Sequence, residues 1–124
     1  MGKGIEKQKL GRKGEDIARR YLQRKGYGIL ETNWTYEKAE IDIIAEKNDL
    51  VVFVEVKTRS DTNYGEPEDA VGDSKEKNMM LAAEEYIELM GIQKEIRFDI
   101  ISIVLADGAP RIHHIPDFIS PWED

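Results

Sequence analysis

The run Leu50-Val51-Val52-Phe53-Val54-Glu55-Val56-Lys57 constrains this chain more than any other feature. Val52, Val54 and Val56 recur with a period of two, and Phe53, Glu55 and Lys57 fall on the opposite face, a sorting that an extended strand produces. Just upstream, Glu40-Ile41-Asp42-Ile43 alternates in the same way, isoleucines on one face and acids on the other. The polar tetrad Glu46-Lys47-Asn48-Asp49 between the two runs predicts a hairpin, so the strands should be antiparallel neighbours. A four-residue loop would set Glu40 opposite Glu55 and Asp42 opposite Phe53. Any even loop length keeps the acids and Lys57 on one shared face.

The elements around this hairpin follow from periodicity. Over residues 9–25, Leu10, Gly14, Ile17, Ala18, Tyr21 and Leu22 recur at helical spacing, and Gly26 stands where a C-cap belongs. A weaker extended stretch covers residues 27–34. A second helix is expected to start with Asp73 as N-cap and Glu76 three residues on, to present Met79, Met80, Ala83, Tyr86, Ile87 and Met90, and to end at Gly91. Residues 97–105 read as a buried strand, followed by Asp107-Gly108-Ala109-Pro110 and a short strand near Ile112. The order αβββαβ, with a candidate fifth strand, is that of an α/β fold with a mixed sheet flanked by helices.

A length of 124 residues fits one domain, with a core at about residues 9–115 and a tail at 116–124. The longest apolar run, Leu50 through Val54, falls far short of the roughly 20 residues of a spanning helix, so no membrane partner is expected. Without cysteine there is no disulfide framework or thiolate metal site, and a cytoplasmic address is the default. The net charge of -7 opposes binding to a polyanion, but it is unevenly spread. Residues 1–26 carry nine basic groups and three acids, which is +6 and leaves -13 on the remainder. The first helix can therefore face phosphate, or can simply be a solvated basic face.

Carboxylates gathered on one sheet face repel unless a cation joins them or water reaches them. The chemical reading is a hard-cation site. Asp42 and Glu55 would bind Mg²⁺ or Mn²⁺, the Val56 carbonyl could add an oxygen, and Lys57 could position water or stabilise charge on a phosphate. The bland reading is a solvated face on which Lys57 pairs with Glu55 or Asp42. Gly11 and Gly14, each costly within a helix by about 1 kcal/mol, predict a close backbone approach near Glu15. Lys75, in the first turn of a helix, is poorly placed for the dipole and would suit a phosphate or plain solvent. His113 and His114 are adjacent, point to opposite faces of a strand and are read as structural. Trp122, beside Pro121, belongs to the tail.

The triplet Glu40-Ile41-Asp42 followed by Val54-Glu55-Val56-Lys57-Thr58-Arg59 resembles the PD-(D/E)xK nuclease superfamily, and in detail its YraN-like family of small bacterial proteins. Gly11, Gly14-Glu15, Ala18, Tyr21-Leu22, Gly26-Tyr27, Asn33, Tyr64-Gly65, Pro67, Ala70-Val71, Lys75 and Arg97-Phe98-Asp99 extend the resemblance over about residues 9–105. It implies a restriction-endonuclease-like core with Asp42, Glu55 and Lys57 at the catalytic positions, Glu15 approaching from the first helix and Glu40 supporting them. Arg12, Lys13, Arg59 and Lys75 would then meet nucleic acid. The implied activity is metal-dependent hydrolysis of DNA rather than RNA, with branched or repair intermediates as candidate substrates. A two-fold dimer would suit cutting of both strands. A noncatalytic nucleic-acid-binding module and a protein-interaction domain are the competing expectations. One departure is Ala39, where the family usually has glycine.

Overall fold

The computed structural model describes residues 2–60, 73–106 and 108–119, with backbone alone for residues 2–8, 73 and 74. The elements in chain order are α1 (Gly2–Arg24), β1 (Gly28–Tyr36), β2 (Ala39–Lys47), β3 (Leu50–Arg59), α2 (Asp73–Met90), β4 (Glu95–Val104) and β5 (Arg111–Ile119). The strands form one sheet in the order β1-β2-β3-β4-β5. All neighbours are antiparallel except β3 and β4, whose parallel pairing requires a crossover, and α2 lies in that connection. The expected α/β order holds, and the fifth strand is longer than expected, running through residues 116–119 that were read as tail. The expected cap Asp73, as a side chain, and Tyr64, Gly65, Pro67, Ala70, Val71, Asp107 and Trp122 lie outside the described residues.

The two faces of β3 explain the layers. Val52, Val54 and Val56 pack with Ala18 and Leu22 of α1 and with Ile43, Ala45, Ile101 and Ile103. Phe53 packs on the other side with Met79, Ala82, Ala83 and Tyr86 of α2 and with Ile41, Ile44, Val51 and Phe98. Each core side chain taken from water contributes about 1.5–3 kcal/mol, so this sorting fixes which way Glu55 and Lys57 point. Met90 departs from the expected stripe and is exposed at the end of α2. Both helices end on glycines in the left-handed region, Gly26 at φ 96° and Gly91 at φ 61°. The Tyr27 N–H then donates to the Leu22 carbonyl and the Ile92 N–H to that of Ile87, closing the last turns.

Two expectations for the hairpin are corrected. Lys47 pairs with Leu50 and Ile43 with Val54, so the turn is the dipeptide Asn48-Asp49 and the register is two residues from that expected, with Asn48 at φ 54°. Glu46 and Lys47 belong to the strand because their polar ends are engaged: Glu46 pairs with Lys94, and Lys47 donates to the Lys25 carbonyl and lies over the Tyr27 ring. The isoleucines of β2 do not share a face either. Ile41 belongs to the α2-side core and Ile43 to the α1-side core. The sidedness of β2 changes at Asp42, opposite which β1 places Asn33 at φ 51° and the pairing skips from Thr32–Ile43 to Trp34–Ile41.

A part-buried polar chain centred on the buried Asp99 ties α1 to the edge strand β5. Tyr21 Oη of α1 lies 3.0 Å from His114 Nδ1, and His114 Nε2 lies 2.7 Å from Asp99 Oδ2. Arg97 donates to both Asp99 oxygens at 2.8 Å and to Tyr27 Oη at 3.0 Å, and the Asp117 N–H donates to Asp99 Oδ1 at 3.1 Å. These bonds hold Asp99 below its ordinary value although burial alone would raise it. His114 thus lies within this hydrogen-bonded chain, while His113, paired with Ser102 across β4, points to the other face.

Candidate functional site

Glu55 is 2% exposed in the middle of an apolar strand, and two ammonium groups reach its Oε1. Lys57, two residues on, lies 3.3 Å away, and Lys75 of α2 forms a second ion pair with the same atom. Lys75 thereby has a partner that its place in the first turn of a helix did not reveal. Burial lowers the Lys75 ammonium pKa, but its bonding to Glu55 reverses this and leaves it raised. Lys57, desolvated and beside the Lys75 ammonium, is lowered. The other Glu55 oxygen, Oε2, is buried with no hydrogen-bond partner among the described residues.

Across the hairpin, Asp42 accepts a 2.8 Å hydrogen bond at Oδ2 from the Val56 N–H, beyond the last ladder pair Ile43–Val54. The N–H and C=O of one strand residue point to the same side, so the Val56 carbonyl also faces the gap beside Asp42 rather than β4. Asp42 is pushed up to about 8, first by burial and then by repulsion from Glu55 and Glu15, against the lowering effect of the Val56 N–H and Lys75. Glu15 is raised by burial, which a hydrogen bond from the Asn33 side chain opposes, and by the charges of Glu40 and Glu55. The Glu55 charge thus disfavours ionisation of both Asp42 and Glu15.

The local packing explains how Glu15 arrives. A Cβ on Gly14 would lie 2.7 Å from Thr58 Cβ and Cγ2 and nearer still to Oγ1, so only glycine lets α1 close on β3. A Cβ on Gly11 would meet nothing within 4 Å, so the close approach expected of both glycines belongs to Gly14 alone. Asp16, next to Glu15, is bonded by Arg19 and Arg20.

Two clefts meet at Asp42. The α2-side cleft, about 580 Å³, is lined by Lys38, Ala39, Glu40, Asp42, Glu55, Lys75, Asn78 and Met79. The α1-side cleft, about 200 Å³, is lined by Arg12, Glu15, Asp16, Arg19, Thr32, Asn33, Asp42 and Ile43. The expected residues Asp42, Glu55, Lys57, Val56, Glu15, Glu40, Lys75 and Arg12 are thus brought together. Lys13 is exposed without lining either cleft, and Arg59 closes β3, its carbonyl accepting from the Leu105 N–H at 2.7 Å. Lys38, Asn78 and Arg19 were not anticipated. Asn78 lies three residues after Lys75 on the same helix face, which was readable, whereas the place of Lys38 depends on the β1–β2 turn.

Among the described residues no group of three or more His, Cys, Asp or Glu side chains is gathered as a cage for a metal ion. A hard divalent cation does not require one, since Mg²⁺ keeps several waters and takes one or two carboxylates. Two carboxylates, one with a buried oxygen that has no partner among the described residues, beside a strand carbonyl fit such an ion, and all donors are oxygen.

Residues 14–103 match the model of the uncharacterised protein family UPF0102. The chain belongs to the UPF0102 family. A UPF0102 protein of Flavobacterium psychrophilum is 47% identical over 112 residues, covering 90% of this chain and 94% of that one. One from Bacteroides fragilis is 45% identical over 112 residues, covering 90% and 93%, and one from Syntrophomonas wolfei 45% over 109 residues, covering 87% and 95%. The matched region of this UPF0102 chain runs from Gly14, at the α1–β3 approach, through β4, and so takes in Glu15, Asp42, Glu55, Lys57 and Lys75. Among its described residues no helix is long and apolar enough to cross a membrane.

Proposed function

We propose that this protein is a metal-dependent endonuclease of the PD-(D/E)xK type that hydrolyses phosphodiester bonds of DNA. The observation that carries the reading is Glu55: a carboxylate 2% exposed, with one oxygen that has no partner among the described residues, facing Asp42 in a cleft that also holds two lysines. Leaving such a group unsatisfied costs about 1–3 kcal/mol or more, a cost tolerated where a ligand redeems it. Asp42, Glu55 and the Val56 carbonyl would hold Mg²⁺ or Mn²⁺. When bound, that ion supplies positive charge to the phosphate and acidifies water.

The remaining residues have separable tasks. Lys57 donates to a phosphate oxygen as negative charge grows there. Lys75 keeps the Glu55 carboxylate in place through Oε1, leaving Oε2 available. Glu15, held by Asn33, stands within reach of a proton released in the α1-side cleft.

The test is cleavage of labelled duplex, flap, four-way junction, single strand and RNA with Mg²⁺, Mn²⁺ or EDTA. Metal-dependent cutting that disappears in Asp42→Asn and Lys57→Ala is the expected result. Binding without cutting would make the protein a noncatalytic nucleic-acid-binding module. Neither binding nor cutting would favour a protein-interaction domain, a reading supported by Leu81, Leu89 and Met90 standing exposed on α2.

A further inference from the structure

Asp42 is shared by two clefts, one beside α1 and one beside α2. The site lies where pairing lapses on both sides of β2. The ladder with β3 ends at Ile43–Val54, and the ladder with β1 skips Asn33. A pocket for a chain end or a mononucleotide would need a wall behind the reacting group. Among the described residues the space continues in both directions from Asp42.

Each direction offers a cation and a carboxamide. Beside α1 these are Arg12 and Asn33. Beside α2 they are Lys38 and Asn78. Lys38 lies in the two-residue turn between Tyr36 and Ala39, where Glu37 takes φ 55°, and it forms no ion pair with another described residue. Lys38 and Asn78 also line an adjoining hollow of about 490 Å³ that runs on to Tyr36 and Leu81, so the α2-side cleft stays open behind them. Around Tyr36 the acids Glu37, Glu85 and Glu88 gather, and their charge sets an outer limit for phosphate.

We propose that a nucleic-acid strand lies across Asp42 with chain on both sides of the bond to be cut, its phosphates held by Arg12 beside α1 and by Lys38 beside α2. This rests on the nuclease reading and deepens it: the substrate is an internal stretch of polynucleotide, and Lys38, with Asn78, is a positioning residue on the side away from α1.

The experiment compares closed circular DNA, single-stranded and duplex, with linear oligonucleotides in Mn²⁺, using wild type, Lys38→Ala and Arg12→Ala. Strand binding is measured in parallel in EDTA over a series of salt concentrations. Circles should be opened about as fast as linear molecules are cut internally. Each variant should raise KM about tenfold with kcat within about twofold, and should flatten the log–log salt dependence of single-strand binding by about 0.7. The KM effect of Lys38→Ala should vanish on oligonucleotides truncated on one side of the cut and persist on those truncated on the other. Intact circles beside linear DNA digested from its ends would overturn the proposal together with the endonuclease part of the reading, leaving only metal-dependent phosphodiester hydrolysis; unchanged KM and salt slope in both variants of a cutting enzyme would overturn the strand path alone and leave the nuclease reading standing. If wild type neither binds nor cuts, the nuclease reading itself fails and the strand path falls with it. If wild type binds without cutting, the salt slopes alone decide the path.

Discussion

The Val56 N–H donates to Asp42 Oδ2 at 2.8 Å across the point where β2 and β3 stop pairing. The bond would survive replacement of the carboxylate by a carboxamide, whereas the repulsion from Glu55 and Glu15 would not. Asp42 has its folded pKa raised from 3.8 to about 8, so ionisation opposes folding increasingly as pH rises through that interval. At neutral pH and without metal, Asp42→Asn should therefore melt higher than wild type, by about 3–6 °C for a gain of roughly 1 kcal/mol, while losing cleavage. The difference should shrink toward pH 4. Thermal melts across pH 4–9 in EDTA check this, and a lower melting point for Asp42→Asn throughout would contradict it.

Divalent cation should act in the opposite sense. An ion that binds only the folded state stabilises it by about 2.7 kcal/mol at a hundredfold excess over Kd. Mn²⁺ should raise the melting temperature of wild type, and Asp42→Asn and Glu55→Gln should each abolish the rise. Calorimetry of the same three proteins reads the binding directly.

The helix glycines should separate cleanly. Gly14→Ala gains helix propensity but drives a Cβ to 2.7 Å from Thr58 Cβ, and overpacking of this kind costs about 1–3 kcal/mol. Thr58→Ala should rescue it partly, because the Thr58 Cβ is itself in the way, and Thr58→Gly more fully. Gly11→Ala, with open space around it, should stabilise by about 0.5–1 kcal/mol. Urea unfolding of the four variants measures both signs.

Acid should find its target at Asp99. A carboxyl whose folded pKa is depressed contributes stability that is present above its unfolded value, about 3.9, and lost as pH falls through the folded one. Asp99→Asn should flatten the acid limb of a pH–stability curve, and Asp99→Ala should cost about 3–5 kcal/mol at pH 7 by stranding Arg97.

The strands were legible because Val52, Val54 and Val56 are apolar at a strict period of two, and the site was legible because Glu55 and Lys57 interrupt that strand on one face. The register was not. Glu46 and Lys47 look like loop residues, yet their charges are consumed by Lys94 and by the end of α1, partners distant in sequence. The change of face at Asp42 was hidden for a similar reason, since it depends on the left-handed Asn33 of the neighbouring strand. Lys75 was noticed as a misplaced cation, but its carboxylate partner becomes visible only once α2 has crossed back over the sheet.

The hydrogen-bonded chain from Tyr21 through His114 to Asp99 has a mechanical consequence. Helix α1 is pinned at two stations, by Gly14 seated on Thr58 and, two turns later, by the phenol of Tyr21 fastened to the outermost strand. Glu15 sits on the span between the two pins and cannot swing away unless one is drawn. The outer border of the sheet, where His114 fastens Tyr21, thus acts as a clamp on the distance between Glu15 and Asp42.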